Sequence, residues 1–138
     1  MLTYEELKKN KSVKAYITGA DRSLAALGFT EHSFAHVTKV AATCESILSA
    51  LGYSAHEIEL AKIAAYLHDI GNLVNRIDHS QSGAVMAFRI LDKLNMDASD
   101  IATVVSAIGN HDEGTGVPVD AISALLYLPT NRMYAAAV

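Results

Sequence analysis

From Phe34 to Leu51 the apolar side chains Phe34, Val37, Val40, Ala41, Cys44, Ile47, Leu48 and Leu51 recur every three or four residues. That spacing gathers them on one face of an α-helix. The same rhythm returns along the chain, bounded each time by a cap or a stop, and no period-two run is long enough to define a strand. The first helix is expected from Tyr4 to about Ala26, with a break near Gly19 and a stop at Gly28. The second starts after Thr30 and runs to about Leu51, where Gly52 ends it. Ser54 and Glu57 form a capping box: the serine oxygen takes one free N–H and the glutamate reaches back to another. The third helix then runs through Ile58, Ala61, Ile63, Ala64, Ala65 and Leu67 to His68. A fourth covers about Ser80 to Asn95, with Val85, Phe88, Leu91 and Leu94 on its apolar face. Asp97 caps a fifth, which ends near Gly109. Asp120 caps a sixth, through Ile122, Leu125 and Leu126, until Pro129. The expected fold is all-α, one helical bundle of about six helices over residues 1–138.

Composition narrows the function. A chain of 138 residues, 51% apolar and 19% charged, can bury a real core. Its uncharged apolar runs, such as IATVVSAIG, fall well short of the ~20 residues that span a bilayer. The N-terminus, MLTYEELKKNK, lacks the apolar block of a signal peptide. Cys44 is the only cysteine, which excludes an internal disulfide and fits a reducing, cytoplasmic location. A net charge of -4 argues against binding long nucleic acid, whose phosphates need a basic face. A small anion held through a metal remains open.

The stretch AAYLHDIGN sets His68 and Asp69 at the end of an apolar run, where both are costly to bury without partners. Six histidines are present: His32, His36, His56, His68, His79 and His111. His56 lies in the first turn of a helix beside the capping box and reads as a surface residue. His32 and His36 are four apart and can share a helix face. His36 lies early on the second helix, His68-Asp69 closes the third, His79 opens the fourth and His111 closes the fifth. In an antiparallel bundle such ends can meet. Imidazole nitrogens with a carboxylate suit Fe, Mn, Co, Ni or Zn better than Ca or Mg alone, and Asp69 could bridge two ions. The plain alternative is a helical bundle with scattered histidines.

The ordered series EHSFAHVTKVA, YLHDIGN, DHSQSG and IGNHDEGTGVP, from Thr30 to about Leu128, resembles the HD domain superfamily of metal-dependent phosphohydrolases. Within it, the series is similar to uncharacterised bacterial HD proteins with LHDIGN, DHxxSG and GNHDE motifs. The resemblance implies an HD-domain helical bundle and a divalent cofactor, one or two ions among Fe, Mn, Co, Ni, Zn and Mg. It implies His36, His68, Asp69, His79 and His111 as metal ligands, with Asp69 bridging in dinuclear members. The implied reaction is hydrolysis of a phosphomonoester or phosphodiester, nucleotides included, by a metal-activated water. Asp69, Asp112 and Glu113 are then the catalytic candidates, the last two for ligation or proton transfer. His32, Lys39 and Arg76 are candidate contacts to a small phosphorylated substrate. HDEGTGVP also echoes the HHExxDGxGYP signature of cyclic-dinucleotide phosphodiesterases. Asp112 replaces a histidine there and Val117 the tyrosine, so that substrate is not assigned. A non-catalytic regulatory module that binds a metal or nucleotide in the same pocket is the alternative.

The tail departs from the family. Many HD domains close with a metal-binding aspartate in a phrase such as LADKxD, whereas Leu128 is followed here by Pro129-Thr130-Asn131-Arg132-Met133. Permitted codons for Leu128 to Val138, read in another frame, spell A-D-K-S-D-V-R-R-S-R. The expectation is a C-terminus altered by a frameshift after about residue 128, a missing aspartate, and weakened or absent activity. Apolar surface bared on the last helix, together with the dimers common among HD proteins, makes a homodimer the expected assembly.

Overall fold

The structure is a computed structural model that describes residues 1–29, 33–112 and 114–127. His32, Glu113 and the tail from Leu128 to Val138 lie outside the described residues, as does any outcome for the frameshift. Among the described residues every regular element is helical, as the apolar periodicity requires.

The expected first helix is two. A capping box at Thr3 and Glu6 opens α1 (Tyr4–Lys8), and Asn10 opens α2 (Lys11–Ala26) by accepting from the Val13 N–H. The bend between them lets Leu7 and Val13 both reach full burial. Gly19 does not break α2. It lies where the helix passes closest to Leu73, so closely that a Cβ there would stand 2.5 Å from Leu73 Cδ1. Gly28 ends α2 with φ 92°, and Gly52 follows α3 (Ser33–Ala50) with φ 81°, both as expected. Leu51 falls past the end of α3 and is exposed. Ser54 caps α4 (Ala55–Leu67) by accepting from the Glu57 N–H.

After α4 comes an element the apolar pattern did not announce, a single 3-10 turn (Ile70–Leu73). Then α5 (His79–Lys93) and α6 (Ala98–Gly109) follow, and residues 121–127 are helical. Asp97 and Asp120 cap as expected, on the N–H groups of Ser99 and Ser123.

The apolar face predicted for α5 is rotated. Val85 and Phe88 are 71% and 52% exposed, whereas Gly83, Ala84, Ala87, Ile90 and Leu91 are buried. The cause is close packing: α5 lies against the 3-10 turn and α6, and small side chains let the backbones approach. Elsewhere α3 packs on α4, α4 on α6, and α2 on the 3-10 turn. Leu48, Ile63, Leu67, Ile70, Leu91, Ile108 and Leu126 fill the centre. The 3-10 turn thus sits between α2 and α5, directly after His68-Asp69.

Candidate metal centre

Four chain segments end at one point. His36 stands one turn into α3, whose first turn is tied to α2 by a 2.7 Å bond from the Ser33 N–H to Asp21 Oδ1. His68 is the C-cap of α4, and Asp69, at φ -101° and ψ 5°, turns the chain into the 3-10 turn. His79 opens α5 directly after Asp78, which holds a left-handed φ of 56°. His111 follows the last turn of α6. All five residues are between 0 and 5% exposed.

Gly71 makes this convergence possible. A Cβ there would overlap the carbonyl oxygen of His79 and stand 2.6 Å from both Gly83 N and Ser82 Oγ. Only a residue without a side chain lets the start of α5 lie on the turn that follows Asp69.

Three of the histidines use the same local device. Nδ1 of His68 donates to the Ala65 carbonyl at 2.5 Å, Nδ1 of His79 to Arg76 at 3.1 Å, and Nδ1 of His111 to Ile108 at 2.6 Å. A carbonyl oxygen can only accept, so each Nδ1 carries a proton, and a neutral ring in that tautomer leaves its Nε2 lone pair bare. These lone pairs face a carboxylate. Asp69 Oδ2 lies 3.2 Å from His36 Nε2 and 3.1 Å from His68 Nε2. Asp69 Oδ1 lies 3.4 Å from His79 Nε2 and 3.5 Å from His111 Nε2. The Nε2 atoms of His79 and His111 are 3.2 Å apart.

Acceptors facing acceptors at such distances repel unless something positive lies between them. A proton is disfavoured on His68, whose pKa is lowered chiefly by burial, and its buried Nε2 lacks a hydrogen bond of good geometry. Burial works to raise the Asp69 pKa, but the neighbouring imidazoles, His68 first and then His111 and His36, outweigh it. The carboxyl is held well below its usual range and is anionic. Donor atoms at ~2.1 Å from a shared ion stand about 3.0 Å apart along an octahedral edge and about 3.4 Å along a tetrahedral one. The separations here, 3.1 to 3.5 Å, are of that size. His36, His68 and Asp69 form one group able to hold a cation, and Asp69, His79 and His111 form a second. The nitrogen-rich donor set with one carboxylate fits a divalent transition ion.

The other candidates fall around this cluster. Asp112 is half-buried beside His111, and its Oδ1 accepts from the Gly114 N–H at 3.2 Å. It is not among the groups whose donor atoms converge, as far as the described residues go. Lys39 is exposed on α3. Arg76 is half-buried and donates to Asn72 Oδ1 at 3.3 Å. His56 pairs at the surface with Asp100, 2.9 Å away. Sequence reasoning missed Asn72. Its Nδ2 donates to the Asp69 carbonyl at 2.9 Å and fixes the peptide that carries the carboxylate. An amide side chain directly after HDIG, with no exposed turn to cap, was the available signal.

Comparison with known proteins agrees with this arrangement. Residues 33–131 match the family model of the HD domain. The uncharacterized protein MJ1020 of Methanocaldococcus jannaschii is 28% identical over 143 residues, covering 87% of this chain and 55% of that protein. The chain therefore spans about half the length of the curated relative it matches. No solved structure matches it.

Proposed function

The chain belongs to the HD domain family, and on that premise we propose that it is a metal-dependent phosphohydrolase acting on a small phosphoester. The observation that carries the proposal is the set of imidazole Nε2 atoms turned onto the two oxygens of one buried carboxylate. His36, His68, Asp69, His79 and His111 would hold one or two divalent ions, with Asp69 offering one oxygen to each pair of histidines. A bound divalent ion supplies Lewis acidity, polarising a phosphoryl oxygen and lowering the pKa of water toward neutrality.

The protein's own groups do the rest. The backbone carbonyls of Ala65, Arg76 and Ile108 keep three rings in the tautomer that presents Nε2. Asn72 orients the Asp69 peptide. Burial of the cluster excludes bulk water and strengthens each electrostatic contact within it. Asp112, next to His111 in the chain, would be the carboxylate that accepts a proton from water or returns one to the leaving group. Arg76, on the connection into His79, would meet substrate.

The test is metal analysis of protein purified without added metal, followed by phosphoester assays with Mn, Co, Ni, Zn, Fe and Mg. We expect at least one tightly held divalent ion per chain, metal-dependent turnover of p-nitrophenyl phosphate, and loss of both in Asp69→Asn. A protein that binds no divalent ion at millimolar concentration would sink the reading. Tight binding without turnover of any phosphoester would favour the regulatory module.

A further inference from the structure

Between the 3-10 turn and His79 the chain makes one short excursion, residues 74–78, and Arg76 is its only basic residue. Both ends of Arg76 are tied to the metal centre. Its carbonyl accepts from Nδ1 of His79 at 3.1 Å. Its Nη1 donates to Asn72 Oδ1 at 3.3 Å, and Asn72, 1% exposed, donates in turn to the Asp69 carbonyl at 2.9 Å. The guanidinium also lies over the Phe29 ring, 5.5 Å from its centroid. Asp78, in its left-handed conformation, then reverses the chain into α5. A surface arginine normally samples many rotamers. This one is held by contacts from the α2–α3 connection and the 3-10 turn, so much of the entropy cost of ordering it is met by the fold itself.

We propose that Arg76 forms a phosphoryl-binding subsite, with Asn72 and Phe29 as its positioning residues, and that this subsite selects phosphomonoesters over phosphodiesters. The proposal rests on the hydrolase reading above for the nature of the anion. A guanidinium offers paired N–H donors that match two oxygens of one phosphoryl group. A monoester has three terminal oxygens, so two can meet the fork while the third faces the histidine–aspartate cluster. A diester has only two terminal oxygens and must give up one of these contacts. Asn72 links the two halves of the site. The amide that fixes the Asp69 peptide also fixes the guanidinium, so the cation-binding groups and the phosphoryl-binding group keep a constant spacing.

The test is calorimetric titration of inorganic phosphate into wild-type protein, with and without Mn, alongside Arg76→Ala, Arg76→Lys and Asn72→Ala. Arg76→Ala is expected to raise the Kd for phosphate by about 10- to 100-fold with its Mn content unchanged. Arg76→Lys recovers part of the loss, because charge returns without the fork. Asn72→Ala also raises the Kd for phosphate, by less, and loosens Mn as well because its amide holds the Asp69 peptide. In turnover, the preference for p-nitrophenyl phosphate over bis(p-nitrophenyl) phosphate should shrink in Arg76→Ala through KM more than through kcat. An unchanged Kd for phosphate in Arg76→Ala overturns the proposal, and so does loss of Mn from that variant, which would make Arg76 a structural support of His79. The two readings fail separately. Wild-type turnover with an unaltered Arg76→Ala variant ends the subsite and leaves the hydrolase. Weakened phosphate binding in Arg76→Ala, with no turnover by wild type, does the reverse.

Discussion

Replacing Gly71 by alanine adds one methyl group at the point where the 3-10 turn meets α5. That methyl would overlap the His79 carbonyl oxygen and stand 2.6 Å from Gly83 N and Ser82 Oγ, where ordinary contact begins at 3.4 Å. Moving those atoms from 2.6 to 3.4 Å requires a shift of about 0.8 Å at the start of α5, and the overlap with His79 requires more. Two of the three neighbours belong to a helix backbone, so the strain cannot be relieved by a rotamer change. Overpacking of this kind costs roughly 1–3 kcal/mol. The effect on the centre should be larger. Cation sites tolerate displacements of about 0.2 Å in their donors, and His79 moves with the backbone that must retreat. We expect Gly71→Ala to melt several degrees below wild type and to bind Mn at least ~100-fold more weakly in calorimetric titration. Gly19→Ala is the control. Its added methyl meets only Leu73 Cδ1, the end of a flexible side chain, at 2.5 Å, and alanine favours the helix by about 1 kcal/mol. It should bind Mn as wild type does. A Gly71→Ala protein with wild-type affinity and melting temperature would refute the claim that this contact sets the position of His79.

Other outcomes follow from burial and charge. Val85, 71% exposed, should accept lysine at a cost within about 0.5 kcal/mol by urea unfolding, whereas Ala87→Lys should cost several times more; the opposite ranking would restore the face read from sequence. Burial pushes the Cys44 thiol up from 9.0 to about 11, so the unfolded chain loses that proton first. Stability should therefore hold below pH 9 and fall by ~1 kcal/mol from pH 9 to 10, a decline that flattens in Cys44→Ala. Burial lowers the His68 pKa below the ordinary 6.5, so on acidification the unfolded chain gains that proton first. Metal-free protein should keep this contribution above about pH 6.5 and lose stability below it, read from urea midpoints at pH 8, 6 and 5.

The parts legible in the sequence were those that local chemistry decides. Ser54, Asp97 and Asp120 cap where their side chains predict, and Gly28 and Gly52 stop their helices with positive φ. The positions of His68, His79 and His111 at or near helix ends were readable from the same caps and stops. The first helix was misread because the cap signals of Thr3 and Asn10 were passed over, and so was the six-residue step from Leu7 to Val13, which is out of helical rhythm and marks the break. On α5 the largest apolar residues drew the face toward Val85 and Phe88. Tertiary contact chose the smallest residues instead, because backbones had to approach. Asn72 and Arg76 were harder to read because their roles arise from bonds to backbone atoms across a turn, and no periodicity records those.

The five residues at the centre are almost wholly buried, and they arrive from stretches of chain that adjoin one another only once the bundle has closed. An ion held there would exchange slowly, because several separate stretches of chain must release it together. Purified material would then carry a memory of its upbringing, with the growth medium, more than the intrinsic order of affinities, deciding which element is found inside.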